Sequence, residues 1–315
     1  MPQAVPLALP SYSIIVPNYN GGEIIGRALE KLVASGALAG GQVCVVDDAS
    51  SDDSVTSIRR DYPEVAIIER SSNGGFSAAA NDGIRATEGE FVVLLNNDVE
   101  VPSDFLEPIF PLFEDSAVFA VTPGVLLPSR GNLDEGAKTG FWRHGMFYSD
   151  QRQGVTVVSP VLYASGCAAV YRREMLEALG GFDEAYSPFY WEDADLGYRA
   201  WKRGWKTLYQ PAVSVRHRHS ASTSRLDPLY TASVKTRNGL FFVWRNIEDP
   251  DLLARHRRWL PLVLARRLLA RDRAFVRGFF QARARAGEAR AACIVDSAHR
   301  VLSDREIFAL AEVGV

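Results

Sequence analysis

Three groups of hydrogen-bonding side chains each follow a short apolar run: Pro17-Asn18-Tyr19-Asn20 after "SIIV", Asp47-Asp48 after "QVCVV", and Asn96-Asn97-Asp98 after "FVVLL". Further on, Glu192, Asp193 and Asp195 open a segment of helical period, and His217 and His219 alternate in "VSVRHRHSAST". Carboxylates and amides are hard oxygen donors that suit Mg2+ or Mn2+, and such an ion can bridge a carboxylate to a diphosphate. No Gly-x-Gly-x-x-Gly follows the first run and no Gly-x-x-x-x-Gly-Lys-Ser/Thr occurs, so dinucleotide and P-loop phosphate cradles are disfavoured. A single Asp or Asn after a strand often serves only as a helix cap or turn former. Three such groups at three strand ends point instead to one shared crevice.

The elements that must position these groups follow from hydrophobic period. Residues 13–20, 42–50, 65–70 and 90–98 are nearly unbroken β-branched and apolar runs that end in turn residues, and read as buried strands. Between them Ile24, Ile25, Ala28, Leu29 and Leu32 recur at helical spacing, as "FSAAANDGIRA" does more weakly after Asn73-Gly74-Gly75. This alternation predicts an α/β fold with a doubly wound, Rossmann-like, mostly parallel sheet, whose ligands sit beyond the carboxyl ends of its strands. Asn73 and Gly75 lie in a tight turn whose missing side chains leave room for a nucleotide. The stretch from Ser165 to Gly204 reads as strand, helix, glycine turn, irregular loop and a helix opening near Asp193. A helix N-terminus favours an ionised Asp193 through the dipole and free N–H groups. Glu192 and Asp195 are candidates to bind ligand hydroxyls or a neighbouring Arg, and Trp191 offers an aromatic platform for a ligand ring or a core contact.

Composition limits the remaining classes. With 315 residues, 47% hydrophobic and 23% charged, the chain can bury one large core or two smaller ones. A net charge of -3 gives no nucleic-acid signature. Cys44 and Cys167 sit in apolar runs and Cys293 lies apart from them, which fits a reducing, cytoplasmic compartment. The start, "MPQAVPLALPSYS", reads as neither signal peptide nor anchor. Between residues 255 and 290, eleven arginines face only Asp272 and Glu288, a local +9 that leaves the rest at about -12. Apolar residues interleave with them, so amphipathic helices are expected there. They would lie on an anionic membrane surface, or pack on the catalytic domain or a second subunit in a homo-oligomer.

Taken in order, "SIIVPNYNG", "VVDDASSDDS", "NGGFSAAANDGI", "LLNNDVEV" and "YWEDADLGYRAWKRGW" resemble glycosyltransferase family 2, inverting enzymes of the GT-A fold. The similarity runs from about Ser11 to Trp244, and "NND" is similar to a branch that contains many rhamnosyltransferases. The resemblance implies a nucleotide-diphosphate-sugar donor (UDP- or dTDP-linked, dTDP-rhamnose among them) and a divalent cation, Mn2+ or Mg2+. It also implies transfer to a hydroxyl of a glycan or lipid-linked glycan in cell-surface polysaccharide synthesis, on the inner face of the membrane. Asp98 takes the place of the family's metal-binding Asp, with Asn96 where the first Asp of Asp-x-Asp usually stands and Asn97 between them. Asp48 matches the carboxylate that accepts from a pyrimidine base, Pro17 and Tyr19 pack on base or ribose, and Asp193 matches the general base. His217, followed five positions later by Ser222, matches the residue that completes the metal site. The expected division is a nucleotide-sugar half at 1–125, an acceptor and catalytic half at 126–246, and an Arg-rich helical extension at 247–315. The competing reading is a non-catalytic GT-A domain that binds sugar nucleotides or scaffolds a polysaccharide-synthesis complex.

Overall fold

The computed structural model describes residues 9–218 and 226–314; His219 and Ser222 lie outside them. The first half alternates β1 (Tyr12–Asn18), α1 (Gly22–Ala34), α2 (Ala37–Gly40), β2 (Gly41–Asp47), α3 (Ser54–Asp61), β3 (Ala66–Glu69), α4 (Phe76–Ala86) and β4 (Phe91–Leu95). There follow β5 (Val99–Glu100), β6 (Val118–Leu127), β7 (Leu133–Asp134), the hairpin β8 (Lys138–Arg143) and β9 (Met146–Gln151), β10 (Ser159–Pro160), β11 (Ala168–Arg172), α5 (Arg173–Ala178), α6 (Glu192–Lys202) and β12 (Lys206–His217). The chain closes with α7 (Pro228–Asn246), α8 (Pro250–Leu269), α9 (Arg273–Ala284), α10 (Ala286–Ser297) and α11 (Asp304–Leu310).

The main sheet runs β10-β12-β6-β11-β4-β1-β2-β3. β4, β1, β2 and β3 are mutually parallel, β12 is parallel to β6, and β11 is antiparallel to both neighbours. The apolar runs are unbroken because both faces are covered. Ile14, Val16, Val43, Val45, Val93 and Leu95 face one cluster with Ile25, Leu29 and Ile58 of α1 and α3. Ile15, Cys44, Val46, Val92 and Leu94 face the other, with Ala79, Ala80 and Ile84 of α4 and Leu196 and Ala200 of α6. This is the expected α/β architecture, with the mostly parallel sheet as its middle layer and helices at the C-terminus.

A third cluster joins the hairpin, α6 and α7 to the last helices: Phe147, Tyr163, Trp201, Phe241 and Phe242 pack with Leu252, Ala289, Ile307 and Phe308. Trp142 N–H donates to Gly314 O at 2.7 Å, and Thr139 Oγ1 donates to Ala311 O at 3.0 Å. The residues after 247 therefore share a core with the hairpin and α6.

Candidate active site

Because β4, β1 and β2 are neighbours running the same way, the polar groups at their carboxyl ends meet at the rim of one cleft of about 870 Å³. Asn97 Nδ2 donates to Asn18 Oδ1 at 2.8 Å and Asn18 Nδ2 to Asp47 Oδ1 at 2.9 Å, while Asp47 also accepts from Ser50 N–H at 2.9 Å. This chain of amides fixes the loops after β1, β2 and β4 to one another. It explains Gly21 as well: a Cβ there would stand 2.3 Å from Asn97 Nδ2 and 2.4 Å from Asn18 Oδ1. Asp48 accepts from the Gly74 and Gly75 N–H groups at 2.9 and 2.8 Å and pairs with Arg70. Both oxygens thus hold the 73–75 turn while Asp48 lines the cleft; Oδ1 already takes two donors, Gly74 N–H and Arg70, and Oδ2, with one, keeps capacity for a further donor. Pro17, Tyr19, Asn73 and Asn96 line the same end.

Gly75 differs from the sequence expectation. It has φ +86°, and a Cβ on it would come within 2.6 Å of Pro188 O, so its missing side chain makes room for the 186–191 loop, while Gly75 itself still lines the cleft. Phe76 N–H donates to the same Pro188 O at 3.0 Å, which ties the two ends of the cleft together.

Asp98 and His217 are brought together by the pairing of β5 with β12, which sets His217 opposite Val99. His217 Nε2 lies 3.1 Å from Asp98 Oδ1, and both side chains line the cleft. Burial opposes a charge on the imidazole, but the Cys167 sulfur and the Asp98 carboxylate outweigh it and push the group up to about 11. An imidazolium has no free lone pair, so a cation bound here would take the place of that proton. One carboxylate oxygen and one imidazole nitrogen fit Mn2+ or Mg2+, with the remaining positions left to phosphate and water. Among the described residues no cluster of three His, Cys, Asp or Glu side chains stands ready to hold a metal.

The other end is built on a bent loop. Tyr190 and Trp191 both adopt positive φ, +71° and +80°, a conformation that costs non-glycine residues energy and needs outside support. Asn238 on α7 supplies it: Nδ2 lies 2.7, 3.0 and 2.8 Å from the carbonyl oxygens of Tyr186, Phe189 and Tyr190. Arg237 donates to Ser187 O. The bend directs the N-terminus of α6 into the cleft. Asp193 accepts from Gly166 N–H at 3.1 Å and from Ala194 N–H at 2.8 Å. Burial raises its pKa above the ordinary aspartate value, while the Lys138 charge and these N–H groups pull the other way. The helix terminus alone suggested a readily ionised group; desolvation makes Asp193 a stronger base than that. Glu192 is raised well above its usual value, first by burial and then by the Asp193 charge, and its buried Oε2 has no hydrogen-bond partner among the described residues. Trp191 lines the cleft but packs on Phe242, ring centroids 5.2 Å apart.

Asp195 does not belong with these acceptor contacts. It is fully buried and accepts from Tyr186 Oη at 2.9 Å, Arg199 Nε at 2.7 Å, Arg245 Nε at 2.9 Å and Asn246 Nδ2 at 2.8 Å. Two residues along a helix turn about 200°, so Asp195 leaves α6 on the side opposite Asp193. Of the two readings of this carboxylate, the neighbouring Arg is the one realised. The sequence reading missed Lys138, Ser149, Tyr163 and Lys235, all of which line the cleft. They come from the hairpin, the segment after β10 and α7, and carry no motif; Lys138 is a lone cation in "EGAKTG".

Comparison with known proteins places this geometry. The family model for glycosyl transferase family 2 matches residues 13–180, more than half of the chain. N-acetylglucosaminyl-diphospho-decaprenol L-rhamnosyltransferase of Mycobacterium tuberculosis is 30% identical over 236 residues, 64% of this chain and 75% of that protein. An O-antigen chain rhamnosyltransferase of Salmonella anatum is 28% identical over 223 residues, 67% of each chain. Among solved structures, a mannosyltransferase of Pyrobaculum calidifontis in complex with GDP-Man and Mn2+ aligns with TM-score 0.57 at 20% identity, over 98% of this chain and 84% of that one. GalNAc-T7 with UDP, GalNAc and Mn2+ aligns with TM-score 0.61 at 19% identity, over 78% of this chain and about half (49%) of that one. At these identities the structures speak for the fold. With its fold, its motifs and the matched family model in agreement, the chain belongs to glycosyl transferase family 2 and is a glycosyltransferase.

Proposed function

We propose that this glycosyltransferase carries a sugar from a UDP- or dTDP-sugar to a hydroxyl of a glycan or lipid-linked glycan, with inversion at the anomeric carbon. The observation that carries the reading is the placement of Asp193 in one cleft with the Asp98–His217 pair, 3.1 Å apart. In this division of labour residues 1–125 hold the donor and 126–246 the acceptor. Pro17 and Tyr19 flank the base and ribose, Asp48 accepts from the base, and Asn73 and Asn96 line the path to the diphosphate. Asp98 and His217 would hold Mn2+ or Mg2+, whose charge offsets that of the departing nucleotide diphosphate. Asp193 takes the proton of the acceptor hydroxyl as its oxygen bonds to the anomeric carbon. The bond from that carbon to the diphosphate oxygen breaks on the opposite face, and no covalent enzyme intermediate forms. Burial of Asp193 serves this role by raising its affinity for the proton it must take. Glu192 lies beside it, and burial favours its protonated form, which can donate to an acceptor oxygen. Trp191 borders the acceptor, and its packing on Phe242 keeps that border rigid.

The kinship with two rhamnosyltransferases makes dTDP-rhamnose the first donor to try and a lipid-linked glycan the first acceptor. With these substrates the reaction would run in the cytoplasm, on the inner face of the membrane, in cell-envelope polysaccharide synthesis. The test is nucleotide-diphosphate release from a panel of UDP-, dTDP- and GDP-sugars with Mn2+, Mg2+ or EDTA, with and without an N-acetylglucosaminyl-diphospho-lipid. Release from a UDP- or dTDP-sugar, stimulated by metal and acceptor, supports the proposal. Activity only with GDP-sugars, or full activity in EDTA, rejects its donor or metal assignment.

A further inference from the structure

The last helices present two unlike faces. On α9, Phe275 and Ala282 are buried in a cluster with Leu240 of α7. On α8, Leu252 and His256 are buried, and Leu260, Val263 and Leu264 pack on that same cluster. The opposite side of α8 is different. Arg255, Arg258, Leu262, Arg266 and Leu269 recur at three- and four-residue spacing and are all exposed, Leu262 at 58% and Leu269 at 86%. α9 repeats the pattern with Arg273, Arg277 and Phe280, the ring 60% exposed. Among the described residues these arginines pair with no carboxylate, whereas Arg267 pairs with Asp272 and Arg285 with Glu288.

We propose that this stripe of α8 and α9 is a docking face for an anionic phospholipid bilayer, with the helices lying in the plane of its surface. The two expectations for the arginine-rich segment are then met on different faces: the inner one packs on α7 and the outer one is left for the membrane. Leucine and phenylalanine tips spaced between arginines match an acyl–headgroup boundary, where apolar tips enter and guanidinium groups stay at the phosphates. A nucleic-acid surface would use the arginines and leave the leucines in water. Among the described residues no helix is long and apolar enough to cross a membrane, so attachment by these helices is superficial. The helices that carry the face adjoin the cleft with their inner side, since Arg267 of α8 and Phe275 of α9 line it. A docked bilayer would sit beside the entrance for a lipid-carried acceptor, and that clause alone rests on the proposed function.

The test is sedimentation of the full chain with vesicles of phosphatidylglycerol and phosphatidylcholine, compared with phosphatidylcholine alone. The protein should bind only the anionic vesicles and leave them as salt rises, because the screening length shrinks from about 10 Å at 0.1 M to about 3 Å at 1 M. Reversing three surface charges (R255E/R258E/R266E) should lower the vesicle-bound fraction at least tenfold, on the basis of roughly 1 kcal/mol per membrane-near arginine. L262S/L269S should weaken binding even at low salt. Both variants change exposed side chains and should keep the wild-type melting profile. Absence of binding to anionic vesicles, or equal binding by wild type and both variants, overturns the proposal. So does a drop in molar mass by light scattering in either variant, which would make the face a contact between copies. The assay uses neither donor nor acceptor, so a protein that fails to transfer sugar can still pass it.

Discussion

The two ends of the cleft are held by different means. At the donor end, side chains at the tips of adjacent parallel strands bond to one another, Asn97 to Asn18 and Asn18 to Asp47, and the sheet itself brings them together. At the other end, the proposed base Asp193 sits after a bend with two positive-φ residues, a bend whose Tyr186, Phe189 and Tyr190 carbonyls are held by Asn238 about 50 residues further on. Behind that bend Asp195 gathers Arg199, Arg245 and Asn246, and Arg245 reaches on to Asp296 of α10. The donor end is a consequence of strand order, whereas the acceptor end depends on the helices at the C-terminus. A perturbation far from the chemistry should therefore disturb acceptor use before donor binding.

The largest effect should come from the buried hub. Asp195→Ala leaves Arg199 and Arg245 without their shared carboxylate and should destabilise the protein by about 3–5 kcal/mol, read as a fall in Tm or in denaturant midpoint. An unchanged Tm would show that the acceptor end does not rely on this network. Asp193→Asn removes the base and should lower transfer at least about 100-fold while donor affinity stays within a few-fold. Single-turnover transfer measured beside donor calorimetry separates the two, and a near-normal rate would move the role to Glu192. Asp98→Ala should weaken metal-dependent donor binding at least tenfold, since loss even of outer-shell partners typically costs about 10–100-fold, with the fold intact because the residue stands at a strand end. Donor titrations with and without Mn2+ read it, and equal affinities in mutant and wild type would leave Asp98 only a cap.

Two smaller effects depend on pH. Because the Lys138 charge lowers the Asp193 pKa, Lys138→Met should move the acid limb of the transfer rate to higher pH; a limb that stays in place would separate Lys138 from the base. His256 binds Trp244 Nε1–H through Nε2 at 2.8 Å, so its Nδ1–H donates to Gly145 O at 2.6 Å, and burial lowers its pKa. The unfolded chain then takes up a proton near pH 6.5 that the folded chain refuses. This contribution to stability is complete above that pH and is lost as the pH falls through the depressed folded value. Relative to His256→Gln, the wild type should lose stability on acidification in urea melts at a series of pH values; parallel curves would show that His256 is not buried as a neutral ring.

The sequence by itself determined the parallel β1–β4 half of the sheet, the strand ends that carry its polar groups and the helix that carries Asp193. These rest on local signals: unbroken apolar runs for strands covered on both faces, helical spacing between them, and polar residues where each run stops. Tertiary structure decided which of the carboxylates face the cleft. Asp193 and Asp195 are two residues apart and chemically alike, yet one lines the cavity and the other is sealed against Arg199 and Arg245, since the faces of α6 acquire meaning only once α7 and α10 are in place. The same holds for Asp98 and His217, which lie 119 positions apart and meet only because β5 pairs with β12. Gly75 lines the cleft, yet the neighbour its missing side chain makes room for is Pro188, more than 100 positions further on. A side chain's type and its place along an element are local properties, but what it faces depends on elements far along the chain, whose packing no local period records.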